Sequence, residues 1–176
     1  KVGIENLSDK RLVELIESGL VRDIPSLFDL TSEKLMELDK VKDKLATKIV
    51  QSISDAKNME LVTFLSSLGI SGGAYNKCEK IVHNGYDSWE KIKSITPEKL
   101  VEIESFAEKS SQDFFNSLQE KLPLAEMLLK KGVKLKKSTF KSDTQISGKK
   151  FCITGSLSMK RSDLQKMIKE NGGIAV

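Results

Sequence analysis

The sequence is short of the residues that staple a chain, hold metals or stack in a pocket. Its two cysteines, Cys78 and Cys152, form no Cys-x-x-Cys pair. A disulfide framework and a self-contained zinc site are therefore disfavoured, and a reduced intracellular setting fits. The one histidine, His83, reads as a helix-end residue rather than a metal ligand. Aromatics make up 6% of the chain, and Trp89, Phe114 and Phe115 are simplest as core. No apolar run of ~18 residues and no signal peptide is present, which leaves membrane spanning and secretion unsupported. There is no Ser/His/Asp set, no carboxylate pair at a plausible cleft and no Walker loop. The chain is expected to carry no catalytic residue, metal or cofactor of its own. It lacks an initiator Met and ends on Gly172-Gly173-Ile174-Ala175-Val176, which reads as the start of a strand, so a fragment of a longer protein is expected.

Charge, by contrast, is plentiful at 31%, and it is uneven. Residues 130–150 carry eight lysines against Asp143, whereas residues 1–129 sum to −5 within an overall +4. A polyanion-binding reading has to accommodate that acidic first part. With 176 residues, 39% hydrophobic, the length suits one domain plus part of another, and the wealth of charged helix formers favours helix.

The strongest pattern is a repeat. Leu30-Thr31-Ser32-Glu33-Lys34-Leu35-Met36-Glu37-Leu38 returns 65 positions later as Ile95-Thr96-Pro97-Glu98-Lys99-Leu100-Val101-Glu102-Ile103. Thr31 and Thr96 are N-cap candidates, Pro97 fits the first helical position, and Glu33 and Glu98 suit the positive end of the helix dipole. Each short helix runs into a tight turn and then a second helix, the first with Leu45, Ile49 and Ile53 on one face. Related turns begin at Ile4 and Ile70, so four turns start at Ile4, Leu38, Ile70 and Ile103. Behind the first, Leu12, Val13 and Ile16 are expected to form an apolar helix face ended by Gly19. Leu61, Val62, Leu65 and Leu68 stripe another helix, and Cys78, Ile81 and Val82 a further one, stopped at Asn84-Gly85. Pro123 is expected to open a new helix carrying Leu124, Leu128 and Leu129, closed by Gly132. Lys134 to Ser147 reads as a linker. A strand over Gly148 to Gly155 and a helix over Arg161 to Glu170, with Leu164, Met167 and Ile168 inward, open an α/β unit too short to close its core.

The four turns share the form h-x-G-h-G, where h is apolar, and this resembles the helix-hairpin-helix motif of nucleic-acid-binding proteins. The order of parts narrows the likeness. Four such hairpins, a basic linker, then Gly-Lys-Lys-Phe-x-x-Thr-Gly from Gly148 to Gly155 and a later Gly-Gly resemble the C-terminal half of bacterial NAD-dependent DNA ligases. The resemblance implies a mainly α chain. A tandem helix-hairpin-helix domain of four hairpins would span 1–132 and a basic linker 133–147. The first strand and helix of a truncated α/β BRCT domain would span 148–176.

That family seals nicks in duplex DNA through an enzyme-adenylate made from NAD, in replication and repair, in the cytoplasm. The resemblance implies that NAD, magnesium and structural zinc are used by the parent protein, in adenylation, OB and zinc domains upstream. It implies nicked duplex DNA as partner, gripped on its backbone from the minor-groove side. In such a grip, glycines let a turn approach a phosphate and amides at the following helix N-terminus donate to its oxygens. It reads no bases and weakens with salt.

The motif's first glycine is replaced by Asn6, Lys40 and Ser105 and kept only as Gly72; its second is replaced by Ser8, Lys42, Ala74 and Ala107. Ser71, Gly72, Gly73 and Ala74 are accordingly the first choice as a DNA contact. Asn6, Ser8 and Lys10, then Lys40, Lys42 and Lys44, then Ser105, Ala107 and Lys109 are the other candidates. Lys40 and Lys42 crowd their turn, so that hairpin contacts phosphate by side chain or not at all. Glu104 and Glu108 flank the last hairpin and repel phosphate. Thr154 and Gly155 match a BRCT strand end that binds phosphate in some members, and a structural turn there is at least as good a reading. Two rivals stand beside the ligase reading: a protein-interaction scaffold built on degenerate hairpins, and the hairpin tail of another DNA-repair protein.

Overall fold

A computed structural model of the chain describes residues 4–136, 146, 149–155, 159–171 and 173–175. The order begins α1 (Asp9–Glu17), α2 (Ile24–Leu27), α3 (Ser32–Leu35) and α4 (Asp43–Ala56). It continues β1 (Asn58–Glu60), α5 (Leu61–Ser67), α6 (Tyr75–His83), α7 (Trp89–Lys93), α8 (Pro97–Val101) and α9 (Glu108–Lys130). Last come β2 (Lys134–Lys136), β3 (Lys150–Phe151), α10 (Arg161–Glu170) and β4 (Ile174–Ala175). The described chain is mainly helical, with two pairs of short parallel strands, β1 with β2 and β3 with β4. No helix among the described residues is long and apolar enough to cross a membrane.

The core is built twice. One cluster gathers Leu15, Leu27, Leu30, Leu35, Val41, Ala46, Ile49 and Ile53. The other holds Ile81, Ile92, Ile95, Leu100, Phe106, Phe114 and Leu118, each 65 or 66 positions after a residue of the first. Ala46 alone has a polar counterpart, the buried Ser111. The local stops repeat as well: Asp23 and Ser88 cap α2 and α7, and Gly19 and Gly85 both take positive φ just past α1 and α6. We call α1–α4 the first module and α5–α9 the second. They meet where α2 approaches α9 and where Lys131 pairs with Asp29 at 2.6 Å.

Several sequence expectations change. On α1 the buried residue is Leu15, while Val13 and Ile16 face solvent. Pro123 does not start a helix but sits inside the single 23-residue α9. An interior proline costs about 3 kcal/mol. Each of the buried Phe114, Leu118 and Leu128 contributes about 1.5–3 kcal/mol. Their common helical phase on both sides of Pro123 outweighs the break. Thr96 occupies the N-cap of α8 without capping a helix amide; its hydroxyl bonds Glu98, holding that carboxyl below its usual range.

The expected linker starts too early. Val133 is buried, and Lys134–Lys136 pair with Asn58–Glu60, opened by the Lys134 amide donating to the Lys57 carbonyl at 2.7 Å. Apart from Ile146, the rest of that stretch lies outside the described residues. In the last part β3 is confined to Lys150–Phe151, and Met167 is exposed while Ile168 is buried. A Cβ on Gly173 would meet Ile168 Cγ2 at 2.8 Å and Phe151 Cε2 at 3.1 Å, so a bare glycine lets α10 close on β3.

Trp89 Nε1 donates to Glu126 Oε1 at 2.9 Å, tying α7 to α9. This bond, helped by Lys93, holds the Glu126 carboxyl below its ordinary value of 4.5. A depressed folded-state pKa gives stability that is present above the ordinary value and lost as pH falls through the folded one. Trp89 emission is therefore expected to shift on acidification with a midpoint below 4.5. In Glu126→Gln that transition should vanish.

Candidate nucleic-acid interface

The four turns share one backbone design. The fourth residue's amide donates to the first residue's carbonyl: Leu7 to Ile4 at 3.4 Å, Val41 to Leu38 at 3.3 Å, Gly73 to Ile70 at 2.9 Å and Phe106 to Ile103 at 3.1 Å. The third residue takes positive φ, at 62° in Asn6, 61° in Lys40, 67° in Gly72 and 79° in Ser105. That is the requirement of a type II turn. The fifth residue, Ser8, Lys42, Ala74 or Ala107, is extended and serves as N-cap of α1, α4, α6 or α9. Three of the four left-handed positions are thus held by side-chain-bearing residues, at a cost of about 1–2 kcal/mol each, less for Asn.

Each module ties its first corner to its last helix through a serine hydroxyl. Asn6 Nδ2 donates to Ser52 Oγ on α4 at 3.3 Å, and the Ser71 amide donates to Ser117 Oγ on α9 at 3.0 Å. Ser52 and Ser117 are 65 positions apart.

Of the candidate contacts, Asn6, Ser8, Lys10, Lys40, Lys42, Lys44, Ser71, Gly72, Ala74, Ser105, Ala107 and Lys109 are all exposed. Gly73 is not. It is buried, its amide is spent on the Ile70 carbonyl, and a Cβ there would stand 2.9 Å from that oxygen. Its missing side chain serves the tightness of the turn rather than the approach of a ligand. Cys78 supports the same point, its thiol donating to the Gly73 carbonyl at 3.5 Å and kept protonated by burial that pushes it up to about 12.

Electrostatics separates the corners. The first residue after the N-cap is Asp9 in α1, Asp43 in α4 and Glu108 in α9, so a carboxylate already sits at the positive helix end. In α6 that place belongs to Tyr75, and no acid occupies the first turn. The amides of Ala74, Tyr75 and Asn76 find no acceptor among the described residues, and they border a groove of about 520 Å³ lined by Thr63, Ser66, Gly72 and Tyr75 among others. Two lysines on α6 serve this side. Lys77 Nζ lies 4.0 Å from where a Gly72 Cβ would be and 4.6 Å from the Phe106 ring centre, so one ammonium reaches both corners of the second module. Lys80 bonds Ser105 Oγ and pairs with Glu104 at 3.5 Å. In the first module their counterparts are Arg11 and Glu14, which bind each other at 2.7 Å. Among the described residues no three His, Cys, Asp or Glu side chains gather to hold a metal.

Residues 141–175 match the BRCA1 C Terminus (BRCT) domain. Nearly the whole chain, 98% of it, aligns with proteins named DNA ligase. The identity is 32% over 180 residues for that of Anoxybacillus flavithermus, 29% over 176 for Geobacter sulfurreducens and 30% over 186 for Leptospira biflexa. This chain corresponds to the C-terminal part of a bacterial DNA ligase. It spans only 26–28% of the length of these relatives.

The ligase segment thus has one corner that differs from its three siblings in charge and in crowding. Tyr75, Lys77 and Lys80 are the residues sequence reasoning missed; aligning the repeats would have exposed Tyr75 opposite Asp9, while Lys77 gives no sequence signal of reaching Phe106. Gly73→Ala is expected to lower stability by about 1–3 kcal/mol, as overpacking does. Lys40→Gly should leave stability unchanged or raise it by up to about 1 kcal/mol, because relief of the left-handed strain is offset by chain entropy. Urea midpoints of the two variants check both.

Proposed function

We propose that this segment holds duplex DNA by its sugar-phosphate backbone, without reading bases, for a ligase that seals nicks. In this reading residues up to about 136 are a tandem helix-hairpin-helix unit, followed by a basic tether and the opening of a BRCT domain. NAD, magnesium and structural zinc belong to the parent's adenylation, OB and zinc domains, and the setting is the bacterial cytoplasm. The observation that carries it is the third corner. There, free amides at a helix start without a carboxylate stand beside Lys77, which spans to the fourth corner. An anion there gains from both the helix end and the ammonium. At the other corners Asp9, Asp43 and Glu108 oppose a phosphate, so the second module carries most of the grip and affinity of the segment alone is weak.

The rival is a protein-interaction scaffold, favoured by the exposed Val13 and Ile16 and by those three carboxylates. Titration of nicked duplex across a salt series separates them. Expected is binding at low salt that falls as salt rises. Lys77→Ala should reduce the slope of log K against log salt by about 1. Tyr75→Asp, which gives the third corner its siblings' carboxylate, should weaken binding roughly 3–10-fold, as a helix-end charge of about 1 kcal/mol implies. No binding at low salt, or indifference to both changes, would favour the scaffold.

A further inference from the structure

The two modules are copies, but they are not equally covered. In the second, α5 lies along α6 and contributes Leu61, Val62, Phe64 and Leu65 to the core. Under it Val82 is 3% exposed. Trp89 is 8% exposed and meets the Phe64 ring edge-on, with centroids 5.5 Å apart. The same positions in the first module are Ile16 and Ile24, offset by 66 and 65, and these are 54% and 57% exposed. Val13, half exposed, widens the patch. The chain therefore holds an aliphatic face whose sibling is covered, and α5 shows the form of the cover: a short helix whose last turn runs through Gly69 into Ile70, the counterpart of Ile4. An apolar cavity of about 230 Å³ opens at that spot, where Ile4, Ile24 and Leu27 face Met59, Phe64 and Leu68.

We infer that the face formed by Ile16 and Ile24 is the seat of a short amphipathic helix of the ligase polypeptide that leads into Ile4 and packs on α1 as α5 packs on α6. The relatives are nearly four times as long as this chain, so the covering helix is sought within the same polypeptide. Its chemistry follows from the seat: an aliphatic stripe at helical spacing toward α1, and a ring or large aliphatic side chain for Ile24, as Phe64 serves Trp89. The inference concerns the completeness of the first module and stands apart from any grip on DNA.

The probe is a copy of the cover already in the protein. Residues 58–69 are duplicated and joined directly to Ile4 in place of residues 1–3, reproducing the Gly69–Ile70 junction. The extended chain is expected to melt about 2–4 °C higher, the shift that roughly 1 kcal/mol gives a chain of this length. It should also bind less of a dye that senses apolar surface. The gain should vanish when the duplicated Leu61, Val62 and Leu65 are serines, and also in Ile16→Lys. A second arm uses Ile16→Lys alone: neutral in the 176-residue chain, destabilising in the ligase-length protein. The inference is overturned if the extension gives no gain, if the gain survives Ile16→Lys, or if Ile16→Lys is neutral at both lengths. It is also overturned if the unextended chain dimerises through this face, with a concentration-dependent melting point abolished by Ile16→Lys. All readouts are taken without DNA, so their failure leaves the phosphate reading untouched, and loss of DNA binding leaves this one untouched.

Discussion

The fold depends on turning a helix into the next within five residues, and that turn depends on one residue at positive φ. Where the left-handed residue sits, the chain reverses, a single amide closes the turn, and the next residue but one is extended and ready to start a helix. The apolar fourth residue is carried inward by the same reversal, which is why Val41 and Phe106 are core residues although they lie in turns. Two such corners, three short helices between them and a longer closing helix make a module, and a serine on the closing helix secures the first corner. Packing supplies the stability; the corners decide where it can be placed.

Because the modules share this frame, their differences carry the functional information. Glycine loss at three corners does not change the backbone path, only the local strain and crowding. Charge is another matter. The acids that follow three of the N-caps satisfy their helix ends internally and leave them little use for an external anion. The corner that kept its glycine is also the one that lacks the acid and has a lysine beside it, so shape and charge agree there and at no other turn.

Much of this was legible in one sequence because the repeat could be read against itself. The positions of the four turns, the Thr31 cap, the Gly19 and Gly85 stops and the start of a strand near Ile174 all follow from local chemistry. Misreadings came where tertiary packing overrode a local rule. Pro123 looked like a break because local propensity says so, yet the core on both sides of it is continuous. Val13 and Ile16 looked like part of a buried face because they are apolar, but α1 turns only Leu15 fully inward, with Leu12 packed beside it. Gly73 looked like room for a ligand and is instead room for Ile70. Lys77 was invisible because its importance lies in what it reaches across space, and Lys134–Lys136 looked like tether because three residues rich in lysine carry no strand pattern.

The pairing of Lys134–Lys136 with Asn58–Glu60 bears on how the segment behaves under load. The strands run parallel, the first module enters at the leading end of one, and the basic stretch leaves from the trailing end of the other. Tension drawn along the polypeptide between those two points pulls the strands past each other lengthwise. Every rung then resists together, instead of parting one after another as in an unzipping hairpin. This small clasp makes the second module a closed ring that such a pull strains last.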